Sequence, residues 1–383
     1  MAPANSSPST GTSRTPPPIE GPTGLLVSQQ IAELIEQGVI TSTVPVESSQ
    51  IQPASMDLRL GPVAYRVQAS FLPGERTTVA TRLEDVRMHE PLDLSRPCLL
   101  ERGCVYIIPL LEGLRLPPHL SAKANPKSTT GRLDIFTRLI ADHGTVFDRV
   151  PAGYQGPLYV EVVPRTFSVV VTEGIKLNQL RVVQGDVSFS DDQLLELHRS
   201  EPVVHVRGEP ADAIISGGLW VTIDLQGKSA SDVVGYRARP HGLIDLSRVG
   251  HYDRADFWEP VHSSRKNTII LNPDDFYILV SREEIRVPPN LAAEMVAYEP
   301  PIGEFRVHYA GFFDPGFGHG PGLHGTPGVL EVRSHEVPYL LEDGQIVARL
   351  VYERLLAAPD QLYGTGIGSS YQHQGLTLSK HFR

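Results

Sequence analysis

Cysteine is scarce in this chain: Cys98 and Cys104 are the only two among 383 residues. One close pair cannot build a disulfide framework, and the four thiolates of a structural zinc site are missing. A reducing, cytoplasmic setting suits such a composition. Runs of basic residues are missing too, and the formal net charge is −10. Nonspecific nucleic-acid binding needs a basic face, so that class is excluded, and an anionic ligand has to be met by a local cationic pocket. No apolar run approaches the length of a membrane span, and the first residues lack the hydrophobic core of a signal peptide. Residues 1–23, Ser/Thr/Pro-rich, predict a disordered leader.

What the chain does have is Pro/Gly punctuation, with 34 glycines and 33 prolines, between short runs rich in Val, Ile, Leu and Tyr. That pattern predicts a mainly β protein. One amphipathic helix is expected early, in "LLVSQQIAELIEQGVI", with Ser28 as N-cap and Gly38 as its stop.

The strands recur. "VYIIPLLEGLRLPPHLSAK" (Val105 to Lys123) matches "FYILVSREEIRVPPNLAAE" (Phe276 to Glu294) in register. Farther on, "LYVEVVPRTFSVVVTEGIKLNQLRVV" (Leu158 to Val183) matches "GVLEVRSHEVPYLLEDGQIVARLVY" (Gly328 to Tyr352). This sets Glu161 against Glu331 and Gln179 near Gln345. A weaker match joins "SMDLRLG" (Ser55 to Gly61) with "VTIDLQG" (Val221 to Gly227). Internal repetition of this kind predicts two tandem β domains, residues 24–187 and 206–383. The acidic connector, 188–205, carries a short helical pattern around Leu194 to His198.

The repeats have lost different features. Repeat one keeps "KSTTGR" (Lys127 to Arg132), where repeat two has "YEPPIGEF". Repeat two keeps "HYAGFFDPGFG" (His308 to Gly318), where repeat one has the longer "ADHGTVFDRVPAGYQG". Complementary losses point to one composite site built from both repeats. Hydroxyls, backbone N–H groups and the charges of Lys127 and Arg132 make "KSTTGR" an anion cradle; the plain alternative is a solvated turn. Glu331 and Glu161 lie within apolar strands. Each is either a general base or a residue that strand alternation sends to solvent.

Two other motifs carry less. His319 and His324 in "GHGPGLHG" have no second ligand pair at metal-binding spacing and read as a surface loop. "GTGIGSS" (Gly364 to Ser370) lacks the lysine of a phosphate loop and reads as a mobile hinge before the tail.

Taken together, "LLVSQQIAELIEQGVI", "IQPASMDLRLG", "KSTTGRL", "AGFFDPGFG", "VLEV" and "YQHQGLTLSKHF" resemble dCTP deaminase, a relative of the trimeric dUTPases, over nearly the whole chain after the leader. The resemblance implies two distorted β-barrel or jelly-roll domains, hydrolytic deamination of dCTP to dUTP and ammonia, and a glutamate-activated water without zinc. The zinc deaminases carry H-x-E with a later P-C-x-x-C, which this sequence lacks.

Carried over by position, Glu331 is the catalytic glutamate, with Glu161 as the other candidate, and Ser128 holds the attacking water. Arg132 lies beside the reacting centre. Lys127 stands where the family usually has arginine, and Thr129 and Thr130 where it often has serine and leucine. Asp314 belongs to the pyrimidine and sugar pocket. Val329, Leu330 and Gln345 add substrate contacts, and Tyr363, Tyr371 and Gln374 belong to a lid that is disordered without nucleotide. The resemblance also implies Mg²⁺ bound through the triphosphate, dCTP and dUTP as partners, dTTP as a regulator and a homo-oligomer. The rival readings are a dUTPase or bifunctional deaminase–diphosphatase using Asp57, Asp148 or Asp314, and a nucleotide sensor without chemistry.

Overall fold

A computed structural model of the chain describes residues 21–227, 232–240, 242–297, 305–307, 311–320, 322, 324–334, 336–364, 371 and 374–383. The leader call on 1–23 falls almost wholly outside them, as do most of "YEPPIGEF" and of the glycine-rich hinge. The architecture is mainly β and mostly antiparallel, as the composition predicts.

In repeat one, the long strand Val105–Arg115 pairs with Gln155–Pro164, which pairs in turn with Ile135–Ala141. A second sheet places Lys176–Gln184 between Leu120–Pro126 and Met56–Arg59. Repeat two repeats both ladders: Phe276–Ile285 pairs with Thr326–Ser334, and Ile346–Arg354 lies between Leu291–Ala297 and Leu219–Thr222. The central strands are largely apolar and buried. The register confirms the duplication at single residues. Glu161 lies opposite Ile107 and Glu331 opposite Ile278, and these two isoleucines are themselves equivalent in the repeat alignment.

The first helix runs Ser28–Glu36, with Val27 rather than Ser28 at the N-cap. Gln30 supplies the capping by accepting from the Val27 N–H, and Gly38 ends the helix at φ +69°. The connector forms the helix Asp191–Ser200, capped by Ser190. It packs Leu194 into the core of repeat two, and the strand Val204–Val206 that follows pairs with Phe276–Ile285.

The two repeats share a core. Phe167 of repeat one packs edge-on against Phe257 and Trp258 of repeat two, and Leu243–Asp245 of repeat two adds a parallel strand to Ser168–Val171 of repeat one. The same segment of repeat two receives the end of the chain. Phe382 lies among Tyr252, Phe257 and Trp258, and buried His381 faces the Leu246 carbonyl across 3.1 Å.

Beside this shared core is a buried group of charges. Lys123 bridges Glu294 and Glu353, and Arg181 bonds Glu353 from the other side at 3.0 Å. Lys123 and Glu294 are equivalent positions of the two repeats, so duplication has let one position carry opposite charges.

Candidate active site

A cavity of about 720 Å³ opens between the repeats and is lined from both. From repeat one come Asp57, the segment Pro126–Leu133, Lys176 and Gln179. From repeat two come Met295, Phe312, Phe313, Asp314, Phe317, Val329, Glu331 and the tail residues Tyr363, Tyr371, Gln374 and Lys380.

The "KSTTGR" loop takes its shape from its own hydroxyls. After Pro126 ends a strand, Ser128–Gly131 makes one helical turn. Thr130 is buried and donates to the Leu177 carbonyl at 2.8 Å, while the Lys127 N–H donates to the same carbonyl at 2.9 Å. With those two bonds made inward, Ser128 is left exposed at the cavity wall. Thr129 meets the Tyr371 hydroxyl at 3.3 Å, and Lys127 is ion-paired with Asp57. The three consecutive hydroxyl residues therefore face an anchor, the tail and the cavity.

Arg132 is 3% exposed. It donates to the Thr377 carbonyl at 2.9 Å and to the Gln374 side chain at 2.5 Å, and its guanidinium lies 3.8 Å from the Tyr371 ring centre. One cation thus fastens the tail over the cavity. Glu331 is 6% exposed and borders the same space. Burial pushes its carboxyl up to about 7, against the opposing pull of the Arg132 charge. Two residues beyond each of these, Arg333 pairs with fully buried Asp134, and Thr166 bonds both partners. The loop of repeat one and the glutamate strand of repeat two are clamped together beside the cavity.

Asp314 sits in the Asp-Pro-Gly turn on the opposite wall, where burial raises its carboxyl and Arg181 lowers it. Gly318 holds that turn at φ +62°. A Cβ there would come within 2.1 Å of the Ile285 carbonyl oxygen, so the backbone crossing admits only glycine.

Most of the expected site residues come together here: Lys127, Ser128, Thr129, Thr130, Arg132, Asp314, Val329, Glu331, Tyr363, Tyr371 and Gln374. Glu161, Leu330 and Gln345 do not. Glu161 is fully buried in the sheet of repeat one, held by Arg138 Nε at 2.9 Å and Nη2 at 2.6 Å. Leu330 points into the core of repeat two, because alternation along the strand sends its neighbours Val329 and Glu331 toward the cavity. Gln345 lies at a turn and donates to the Tyr339 hydroxyl. Register explains its displacement: Gln179 pairs with Asn125 and Arg349 with Val296, which makes Arg349 the counterpart of Gln179.

Of the rival carboxylates, Asp57 and Asp314 line the cavity, whereas Asp148 accepts from the Leu139 N–H elsewhere in repeat one. The end of the tail is hydrogen-bonded to the rest of the chain: the Ser379 hydroxyl donates to the Thr129 carbonyl, and the Gly250 N–H donates to the Lys380 carbonyl. His319 bonds Arg286, and His324 lies near His205.

Sequence reading missed Gln179, Met295, Phe317 and Lys380 as cavity residues. Gln179 was already marked by its place in the repeat; a polar side chain within "LNQLRVV" was the available signal. Glu161→Gln should cost about 1–3 kcal/mol of stability by breaking the Arg138 pair. It should leave the pH dependence of activity unmoved, which urea unfolding and a pH–rate profile together check.

Comparison with known proteins agrees with this geometry. The model of the 2'-deoxycytidine 5'-triphosphate deaminase N-terminal domain matches residues 22–186, and that of the C-terminal domain matches residues 190–382. A dCTP deaminase of Halorubrum lacusprofundi is 28% identical over 148 residues, 38% of this chain and 70% of that one. A dCTP deaminase, dUMP-forming, of Aquifex aeolicus is 30% identical over 139 residues, 36% of this chain and 68% of that one. The crystal structure of 2'-deoxycytidine 5'-triphosphate deaminase from Agrobacterium tumefaciens superposes with a TM-score of 0.83 at 49% identity, covering 87% of this chain and 99% of that chain. With both domain models matched in order and the fold and repeats in agreement, the chain belongs to the 2'-deoxycytidine 5'-triphosphate deaminase family in its duplicated, two-domain form.

Proposed function

We propose that the inter-repeat cavity hydrolyses the exocyclic amine of dCTP, giving dUTP and ammonia, with Glu331 as the proton carrier and no zinc. The observation that carries this reading is a carboxyl raised to about 7 by burial, bordering a cavity that also holds the cationic hydroxyl loop. A group poised near neutral pH can both accept and return a proton.

In this reading Glu331 removes a proton from water as its oxygen bonds to C4 of the pyrimidine. That proton goes to N3; the second, from the hydroxyl now on C4, passes through the same carboxylate to the departing nitrogen as the C4–N bond breaks, so ammonia leaves and the C4 carbonyl remains. Ser128 orients the water. Lys127 and Arg132 face the triphosphate, Asp314 and Gln179 the base and sugar, and Tyr363, Tyr371 and Gln374 close over the ligand. Mg²⁺ would be held by the phosphate oxygens, with Asp57 the carboxylate nearest the cationic loop. The same pocket would admit dTTP as a competing regulator, and the chain would act in the cytoplasm as a homo-oligomer.

The decisive experiment is incubation with dCTP and Mg²⁺, following ammonia, dUTP, dUMP and pyrophosphate together. Ammonia with dUTP supports the reading, and binding without product would replace it with a sensor. Several relatives are named dUMP-forming, and Asp57 borders the cavity, so pyrophosphate release would identify a second, phosphorus-directed hydrolysis. Glu331 must be ionised to accept the proton. The expected kcat/KM therefore falls on the acid side of about pH 7; a profile flat from pH 5.5 to 8 would remove Glu331 from the role.

A further inference from the structure

We propose that Arg181 of repeat one is a positioning residue that reaches across the repeat boundary and sets the Phe312–Asp314 wall of the nucleotide pocket. It does not line the cavity and has no counterpart in repeat two, where Val351 holds the equivalent register opposite Glu294 as Arg181 does opposite Lys123.

Arg181 is 0% exposed. One terminal nitrogen donates to the Ala293 carbonyl at 2.9 Å and to Glu353 at 3.0 Å. The other donates to the Phe313 carbonyl at 3.0 Å and to the Asp314 carboxylate at 3.3 Å. Its guanidinium lies 4.0 Å from the Phe312 ring centre. Three consecutive residues of the turn are therefore gripped by one rigid planar group: by ring face, by carbonyl and by carboxylate. Glu353, itself tied to Lys123, fixes the far side of the guanidinium. Burial raises the Asp314 carboxyl, and the contact with Arg181 opposes that rise while fixing the orientation of the side chain.

The consequence is a division of labour within repeat one: its "KSTTGR" loop contacts the ligand, and its last long strand shapes the wall that repeat two contributes. A lone repeat two would present Asp314 without its partner, and a lone repeat one would lack Asp314 altogether. This inference rests on the proposed function, in which Asp314 meets the base and sugar.

The test compares the parent chain with Arg181→Lys and with the charge-balanced double variant Arg181→Met/Glu353→Gln. The measurements are kcat and KM for dCTP, dCTP affinity in a Glu331→Gln background, and thermal unfolding. An ammonium cannot reach both Phe313 and Asp314 with bidentate geometry, so Arg181→Lys should raise KM by about 10-fold and change kcat little. The double variant, if folded, should raise KM by about 100-fold. It should also shrink the penalty of Asp314→Asn by about 10-fold, because the carboxylate is no longer held.

A role in folding alone would lower the melting temperature with KM and the Asp314→Asn penalty unchanged, and that result overturns the proposal. If the double variant does not fold, parental KM and dCTP affinity in Arg181→Lys overturn it equally. A parent chain that binds dCTP but releases no ammonia defeats the functional reading while the affinity series still decides the role of Arg181. A parent chain that neither binds nor turns over dCTP defeats both.

Discussion

Replacing Glu331 by glutamine is expected to slow ammonia release from dCTP by about 10²- to 10⁴-fold while dCTP binding persists, and to make the protein more stable at pH 8. Both effects come from the same burial. The carboxyl is raised from 4.5 to about 7, so the folded state retains a proton that the unfolded chain releases near the ordinary value. The stability linked to that proton is complete below pH 4.5 and is lost as the pH rises through about 7.

At pH 8 the folded chain bears the full cost of an ionised buried carboxylate, on the order of 3 kcal/mol from the size of the shift. Glutamine keeps the shape and has no charge to desolvate. The melting temperatures of the two proteins should therefore converge at pH 5 and separate by several degrees at pH 8, with the inactive variant higher. Near-parental turnover in Glu331→Gln would end its assignment as base, and equal melting temperatures at pH 8 would show that its burial carries no such cost.

Lys123→Met should be the most damaging single change outside the cavity, costing about 3–5 kcal/mol. Lys123 lies between Glu294 and Glu353, all three side chains being largely buried, and its removal leaves Glu294 with the Asn125 amide at 2.9 Å and the more distant charge of Arg181. The loss falls on the joint between repeats, because Lys123 belongs to the first and both glutamates to the second. Restoring neutrality with Lys123→Met/Glu294→Gln should recover most of the loss, since Glu353 keeps Arg181. Urea unfolding of the two variants against the parent measures this. A double variant as unstable as the single one would mean that packing, not unpaired charge, sets the cost.

The Lys123–Glu294 pair also gives a physical reason for a duplicated chain. Identical repeats meeting at this point would face lysine with lysine or glutamate with glutamate, and either repulsion is severe in a buried setting. Once the repeats are joined in one chain they can diverge, one position becoming basic in the first copy and acidic in the second. The same freedom let repeat one keep the cationic loop while repeat two kept the Asp-Pro-Gly turn and the glutamate beside the cavity.

Apart from the site residues that only the family resemblance marked, the sequence by itself determined the mainly β class and the duplication, and it pointed to a site built from both repeats. These are readable because strand periodicity, Pro-Pro corners and paired losses between repeats are local patterns that need no distances. Only the tertiary structure set Glu331, and not the equivalent Glu161, beside the cavity. Their strands read alike, but Arg138 crosses to Glu161 from a neighbouring strand and neutralises it, whereas Glu331 is left buried beside the cavity. Leu330 and Gln345 failed for a related reason. Which face of a strand meets the cavity, and which residue follows a turn in register, depend on pairings between segments far apart in the chain. Arg181 was out of reach for the sequence altogether: its meaning lies in a contact with Asp314, 133 positions away and on the other side of the repeat boundary.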